Sequence, residues 1–143
     1  MKNKKWSSRA LVIVILLGSL AINSKAQTMS REDATELVCS TGANAAYNSA
    51  AEMSKQSIKN ISTGRKVYEE VVAQKMQLLK DRPKQQLIVI NSVDKYVKFG
   101  ICEVINNKKS DESSLEVIKL RAYQHCQNEI SQGRDFPLSN CLN

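Results

Sequence analysis

Four cysteines, Cys39, Cys102, Cys126 and Cys141, stand behind a stretch that reads as an export label, and together these features limit how so short a chain can hold itself together. Lys2, Lys4, Lys5 and Arg9 precede an uncharged apolar run over residues 10–22, and Ser24-Lys25-Ala26 supplies small residues at a cut after Ala26. Charged, apolar and small-residue regions in that order make a secretory signal peptide. The run is 13 residues long with Gly18 and Ser19 inside it, whereas a spanning helix needs about 20. Residues 1–26 are therefore expected to be removed, leaving 27–143 as the mature chain with no stable membrane anchor. No cysteine follows the apolar run directly, so a lipid anchor is not expected either.

Export gives the cysteines their meaning. Residues 27–143 suffice for one small domain with a modest core, and an even number of cysteines in an oxidising compartment predicts two disulfides. A metal site is the competing use. No two of the cysteines form a C-x-x-C interval and His125 is the only histidine, so a tetrahedral ligand set is not expected. Export also corrects the charge. The full chain carries 21 basic and 14 acidic residues, but five of the basic ones lie within 1–26, so the mature chain has 16 against 14, a net of +2. The remaining basic residues are scattered (Arg65-Lys66, Lys80 to Lys84, Lys108-Lys109), which predicts solvated helix faces and no nucleic-acid partner.

The mature chain patterns as helices. Ser30 caps a first segment over about 30–61, with Glu32 and Asp33 in its first turn, where the helix dipole favours acids. Ala34, Ala43, Ala45, Ala46, Ala50 and Ala51 give it a small-residue face that lets a neighbouring helix approach closely, with Gly42 and Asn44 as points where it would bend or break. Ser62-Thr63-Gly64 reads as the punctuation before a second helix, whose apolar line is Tyr68, Val72, Met76 and Leu79 beside Val67 and Val71. That helix should stop at Asp81-Arg82-Pro83. The third segment, 84–106, is ambiguous: Leu87-Ile88-Val89-Ile90 has strand composition. The stripe Ile90, Val93, Val97, Ile101, Val104 and Ile105 is longer than most strands, so helix is expected. After a polar turn at 106–109, Ser110-Asp111-Glu112 opens a fourth helix with core line Leu115, Ile118, Ala122, Cys126 and Ile130, and Gly133 marks its stop. An irregular tail over 132–143 follows. The fold expected is all-α, a small disulfide-stapled antiparallel bundle of about four helices in up-down order.

That topology argues the disulfide pairing. In a hairpin of the third and fourth helices turning near Lys108, Cys102 lies level with a residue around Ser114. It is then about a dozen positions, or roughly 18 Å, from Cys126. A disulfide needs Cα atoms within about 7 Å, which excludes that pair. Cys39 near the start of the first helix and Cys126 near the end of the fourth fall at similar heights, so they should pair. Cys102 then pairs with Cys141, which the tail is long enough to carry to it.

Catalytic machinery is not visible. An enzyme needs a nucleophile with a base, a metal, or poised carboxylates. His125 sits beside Cys126, and the adjacent acids Glu69-Glu70 and Asp111-Glu112 point in different directions on a helix. Five glycines are too few and too scattered for a phosphate loop. No catalytic residue, cofactor or metal is expected. Tyr47, Tyr68, Tyr96 and Tyr123 fall on four different helices, a distribution expected of core-edge residues rather than a ligand cage. The residues expected to face a partner are Arg134, Asp135 and Phe136, displayed on the stapled tail.

Two classes of function fit. The first is an exported protein-binding module with a protein partner, acting without turnover as an inhibitor or toxin-immunity protein, in the periplasm or secreted. In size, export and helicity the chain is similar to the periplasmic immunity proteins of type VI secretion amidase effectors; the similarity covers architecture and no residue motif, so it carries over no site. The alternative is a carrier or chaperone holding a small apolar ligand between helices, with Met53, Met76 and the alanine-rich first helix as lining. A cell-wall enzyme without a recognisable motif is held in reserve.

Overall fold

The computed structural model describes residues 29–78, 80–81, 83–107 and 111–143, with the side chains of 83–92 left outside that description. The expected signal peptide, Leu79, Arg82 and the turn residues 108–110 lie outside the described residues. Four helices account for most of the rest: α1 (Arg31–Ser54), α2 (Ile61–Leu78), α3 (Pro83–Asn107) and α4 (Glu112–Gln132). No strand occurs among the described residues.

Local chemistry explains the boundaries. Ser30 Oγ accepts the Asp33 backbone N–H at 3.1 Å, and Asp111 Oδ1 accepts that of Ser114 at 2.7 Å. Each satisfies a donor that the first turn leaves without a helical acceptor. Gly133 ends α4 at φ 63°, a left-handed cap in which glycine has no Cβ to strain.

Four boundaries differ from the sequence reading. The first segment stops at Ser54, well before residue 61, and passes through Gly42 and the exposed Asn44 without a break. Asn60 opens α2 by accepting the Thr63 N–H at 2.9 Å. Gly64 therefore lies inside a helix, buried, where a Cβ would come within 2.9 Å of Ile101 and Ile105 and 3.0 Å of Leu142. Its role is close packing, not termination. Pro83 starts α3 rather than merely ending α2, because its missing N–H costs nothing in the first turn. Gln132, read with the irregular tail, is the last residue of α4.

The helices alternate in direction, and the bundle is flattened across one diagonal. α1 packs most extensively on α3 and α4, α2 lies chiefly against α3, and α3 and α4 touch only lightly. The cause is the small-residue face of α1. Ala43, Ala45, Ala46, Ser49 and Ala50 are all buried, and Ala46 and Ser49 meet α3 at Gly100, where a Cβ would lie 2.1 Å from the Ala46 carbonyl oxygen. Ser49, itself fully buried, donates across this seam to the Val97 carbonyl at 2.9 Å, so the close approach leaves its hydroxyl satisfied.

The third segment is helical throughout, and from residue 93 on it is nearly enclosed. Val93, Tyr96, Val97, Phe99, Ile101, Cys102 and Val104 are all buried. A helix covered on most sides loses clean 3.6-residue patterning and comes to look like a buried strand.

Two disulfides staple the frame: Cys39–Cys126 joins α1 to α4 and Cys102–Cys141 joins α3 to the irregular stretch after Gly133, with Cα separations of 5.3 and 5.6 Å. No cysteine is free. Two bridges in so small a chain belong to an oxidising, non-cytosolic environment. No described helix is long and apolar enough to cross a membrane.

Candidate functional site

The outer face of α4 carries the most distinctive surface. Val117 and Leu120 are 51% and 54% exposed, one turn apart. Arg121 and Gln124 lie three to four residues on, on the same side of the helix. Beyond them a groove of about 380 Å³ opens, lined by Phe99 from α3, by Arg121, Gln124, His125, Asn128 and Gln132 from α4, and by Phe136 and Leu138 from the returning chain.

The charges around this groove are held in place. Glu103, buried on α3, receives Arg121 from α4 and the Asn107 side-chain amide at 3.2 Å. Arg121 also lies over the Phe99 ring, 5.6 Å from its centroid. Glu129, buried on α4, pairs with Lys95 of α3. Its other carboxylate oxygen accepts the Phe136 backbone N–H at 3.0 Å. Neither carboxylate is left as an unpaired buried charge, which would be costly.

His125 has both ring nitrogens engaged. Nε2 lies 3.0 Å from the Phe136 carbonyl oxygen and Nδ1 lies 3.3 Å from the Tyr96 hydroxyl. A carbonyl only accepts, so Nε2 carries the hydrogen it shares with residue 136, and Glu129 Oε1 lies 3.6 Å from the same nitrogen. Its ring also meets those of Tyr96 and Phe136 edge-on, at centroid distances of 5.9 and 6.4 Å. His125 and Glu129, one turn apart on α4, thus clamp both polar groups of residue 136. The histidine works as a fastener, with no nitrogen turned toward a nucleophile.

Each tyrosine also has a separate station. Tyr47 of α1 donates to Glu112 of α4 at 2.6 Å, Tyr123 of α4 donates to Glu36 of α1, and Tyr68 of α2 donates to Asp94 of α3. Hydrogen bonding to a carboxylate favours the neutral phenol and raises all three pKa values, that of Tyr68 to about 12. Tyr96 is raised chiefly by burial, then by the charges of Glu129 and Asp135. Lys119 and Lys98 lie over the Tyr47 and Tyr68 rings. These tyrosines clip helices together and do not converge on a cage.

The residues expected to face a partner divide. Arg134 and Asp135 are exposed, whereas Phe136 is half-buried between His125 and the Arg134 guanidinium, which lies 4.8 Å from its ring centroid. Met53, read as a ligand lining, is fully buried in the core, and the alanine face beside it is covered by α3, while Met76 is only half-buried on α2. The α4 groove escaped the sequence reading because Gln124, Asn128 and Gln132 look in one dimension like any solvated helix face. The exposed Val117 and Leu120, off the Leu115–Ile118–Ala122 core line, were the available signal. Among the described residues no cluster of three metal-ligating side chains occurs. The chain matches no protein family, no curated protein and no solved structure.

Proposed function

We propose that this chain is an exported protein-binding module, acting in the periplasm or outside the cell as an inhibitor or immunity protein, and that it binds through the outer face of α4. One observation carries the reading. The exposed apolar pair Val117 and Leu120 stands on α4 one turn before Arg121 and Gln124, which with Phe136 wall a groove. An apolar centre with polar and aromatic groups at its edge is the usual composition of a protein-recognition patch. Around it the reactive side chains are already committed: His125 to Tyr96 and Phe136, Glu103 to Arg121, and Glu129 to Lys95. Such a surface recognises by shape and contact, without turnover.

The test is affinity isolation from the exported fraction with the wild-type chain and with V117D/L120D, a pair of surface changes that leaves the core untouched. A near-stoichiometric protein partner should accompany the wild type and be lost with the variant, while the helical circular dichroism of both stays the same. A small apolar molecule bound equally by both chains would replace this reading with the carrier. Turnover of cell-wall material by the purified protein would replace it with an enzyme.

A further inference from the structure

The two disulfides differ in kind. Cys39–Cys126 is enclosed from both sides, its residues 0% and 3% exposed, and it ties one helix to another. Cys102 is also 0% exposed, but its partner Cys141 is only half-buried and belongs to a stretch without regular structure. That stretch, residues 134–143, is held by few fastenings. Residue 136 sits in the His125–Glu129 clamp. Leu142 fills a seat over Gly64 beside Ile101 and Ile105, and its carbonyl accepts the Arg65 Nε–H at 3.2 Å. The Cys102–Cys141 bridge locks the rest. In addition, the Cys141 backbone N–H donates to Cys102 Sγ at 2.9 Å.

We propose that residues 134–143 form a redox-releasable strap, opened by thiol–disulfide exchange at Cys141 while the Cys39–Cys126 bridge keeps the bundle folded. The attacking reagent is a dithiol. Its thiolate can reach only Cys141 Sγ, forming a mixed disulfide there as the bond to Cys102 breaks. Cys102 leaves as a thiolate, and the N–H already directed at its sulfur stabilises the negative charge that develops. The second thiol of the reagent then attacks the mixed disulfide and frees Cys141. The protein disulfide has gained two electrons and, after protonation of both sulfurs, two protons, and the reagent has become the oxidised disulfide. With the lock open, the strap is held by the packing of Leu138 and Leu142, the Arg65 bond and the clamp on residue 136. Its release bares the Leu142 seat between α2 and α3 together with the His125–Glu129 side of the α4 groove. This device does not depend on what the groove receives.

The experiment uses the oxidised full chain and reduced dithiothreitol as the dithiol. Samples withdrawn over time are alkylated and mapped by mass spectrometry, with hydrogen–deuterium exchange followed in parallel. Cys102 and Cys141 should become alkylated at least about tenfold sooner than Cys39 and Cys126, as access to the attacked sulfur governs the rate. Deuterium uptake should rise over 134–143 and stay unchanged in α1 and α4. Simultaneous opening of both bridges, or opening of Cys102–Cys141 with the strap still protected, would overturn the proposal. The double variant C102A/C141A mimics the opened state without reductant and should combine native helical circular dichroism with fast exchange over 134–143. Loss of its helical signal would show the bridge to be a structural staple, and would also overturn it.

Discussion

α1 has two principal neighbours, and it holds them by opposite means. Against α3 it works by omission. Alanines, Ser49 and Gly100 remove side chains until the backbones nearly touch, and Gly42 gives its missing Cβ to the Tyr96 ring. Against α4 it works by addition: a disulfide at Cys39–Cys126 and two tyrosine–carboxylate pairs, Tyr47–Glu112 and Tyr123–Glu36, bridge the seam along its length. A small chain with few aromatic residues can use both routes. Close approach gains dispersion contacts wherever small side chains permit it, and cross-links stabilise where they do not. The two seams should therefore fail differently.

Breaking the cross-linked seam has the larger effect. The Cys39–Cys126 bridge closes a loop with a sequence separation of 87, and in the chain-entropy model a loop of that order is worth about 4 kcal/mol. C39A/C126A should lose about that much in urea denaturation and unfold well below the wild-type midpoint. A loss below about 1 kcal/mol would mean that the α1–α3 seam alone holds α1, and that the bridge is an accessory.

The omitted seam should give nearly as much for a single methyl group. At Gly100 a Cβ would meet the Ala46 carbonyl at 2.1 Å and Ser49 Oγ at 2.5 Å. The first obstacle is backbone, which cannot rotate away as a flexible side chain would. α1 and α3 must part, and the Ser49 bond to Val97 parts with them. G100A should cost about 3 kcal/mol, at the upper end of the usual overpacking range. The contrast is Gly133, where a Cβ meets nothing within 4 Å and only the left-handed backbone objects, so G133A should cost about 1 kcal/mol. Equal costs at both positions would remove the distinction between a glycine kept for space and one kept for conformation.

How much of this was written in the chain follows the same division. Caps at Ser30, Asp111 and Gly133 are local chemistry, visible as residue types in order, and α4 runs almost where they placed it. The Cys39–Cys126 and Cys102–Cys141 bridges follow from helix direction and reach alone, quantities that a one-dimensional reading can carry. The role of Gly64 does not. A glycine early in a segment looks the same whether it ends a helix or admits Ile101, Ile105 and Leu142, and only the opposing surface decides. The α4 groove was hidden for a related reason: Phe136 and Leu138 come from a stretch with no periodicity, and nothing local to them says that His125 and Glu129 will catch residue 136 on the return.

The tyrosines offer the finest probe of the comparison, because Tyr47 and Tyr123 cross the α1–α4 seam while Tyr68, which ties α2 to α3, lies off it and serves as the reference. A phenol that donates to a carboxylate keeps its proton to higher pH in the fold than in the unfolded chain, where its pKa is the ordinary 10.0. The stability so contributed is fully present below pH 10. It declines as the unfolded state begins to lose protons that the fold retains, and for Tyr68, held at about 12, it is gone once pH has risen through that value. Denaturation midpoints should therefore fall between pH 10 and 12, and Y68F should fall less steeply than wild type because the titrating group has been removed. Lys98, which lies over the Tyr68 ring and pairs with Asp94, is common to both chains, so the difference between them isolates the phenol. Tyr47 and Tyr123 are raised in the same direction, but they bond in exposed positions where solvent screens the carboxylate. Y47F/Y123F should change the slope less than Y68F alone. If the double variant changed it more, the exposed pairs would stabilise the α1–α4 seam more than solvent screening allows, and that seam would not rest on its covalent bridge alone.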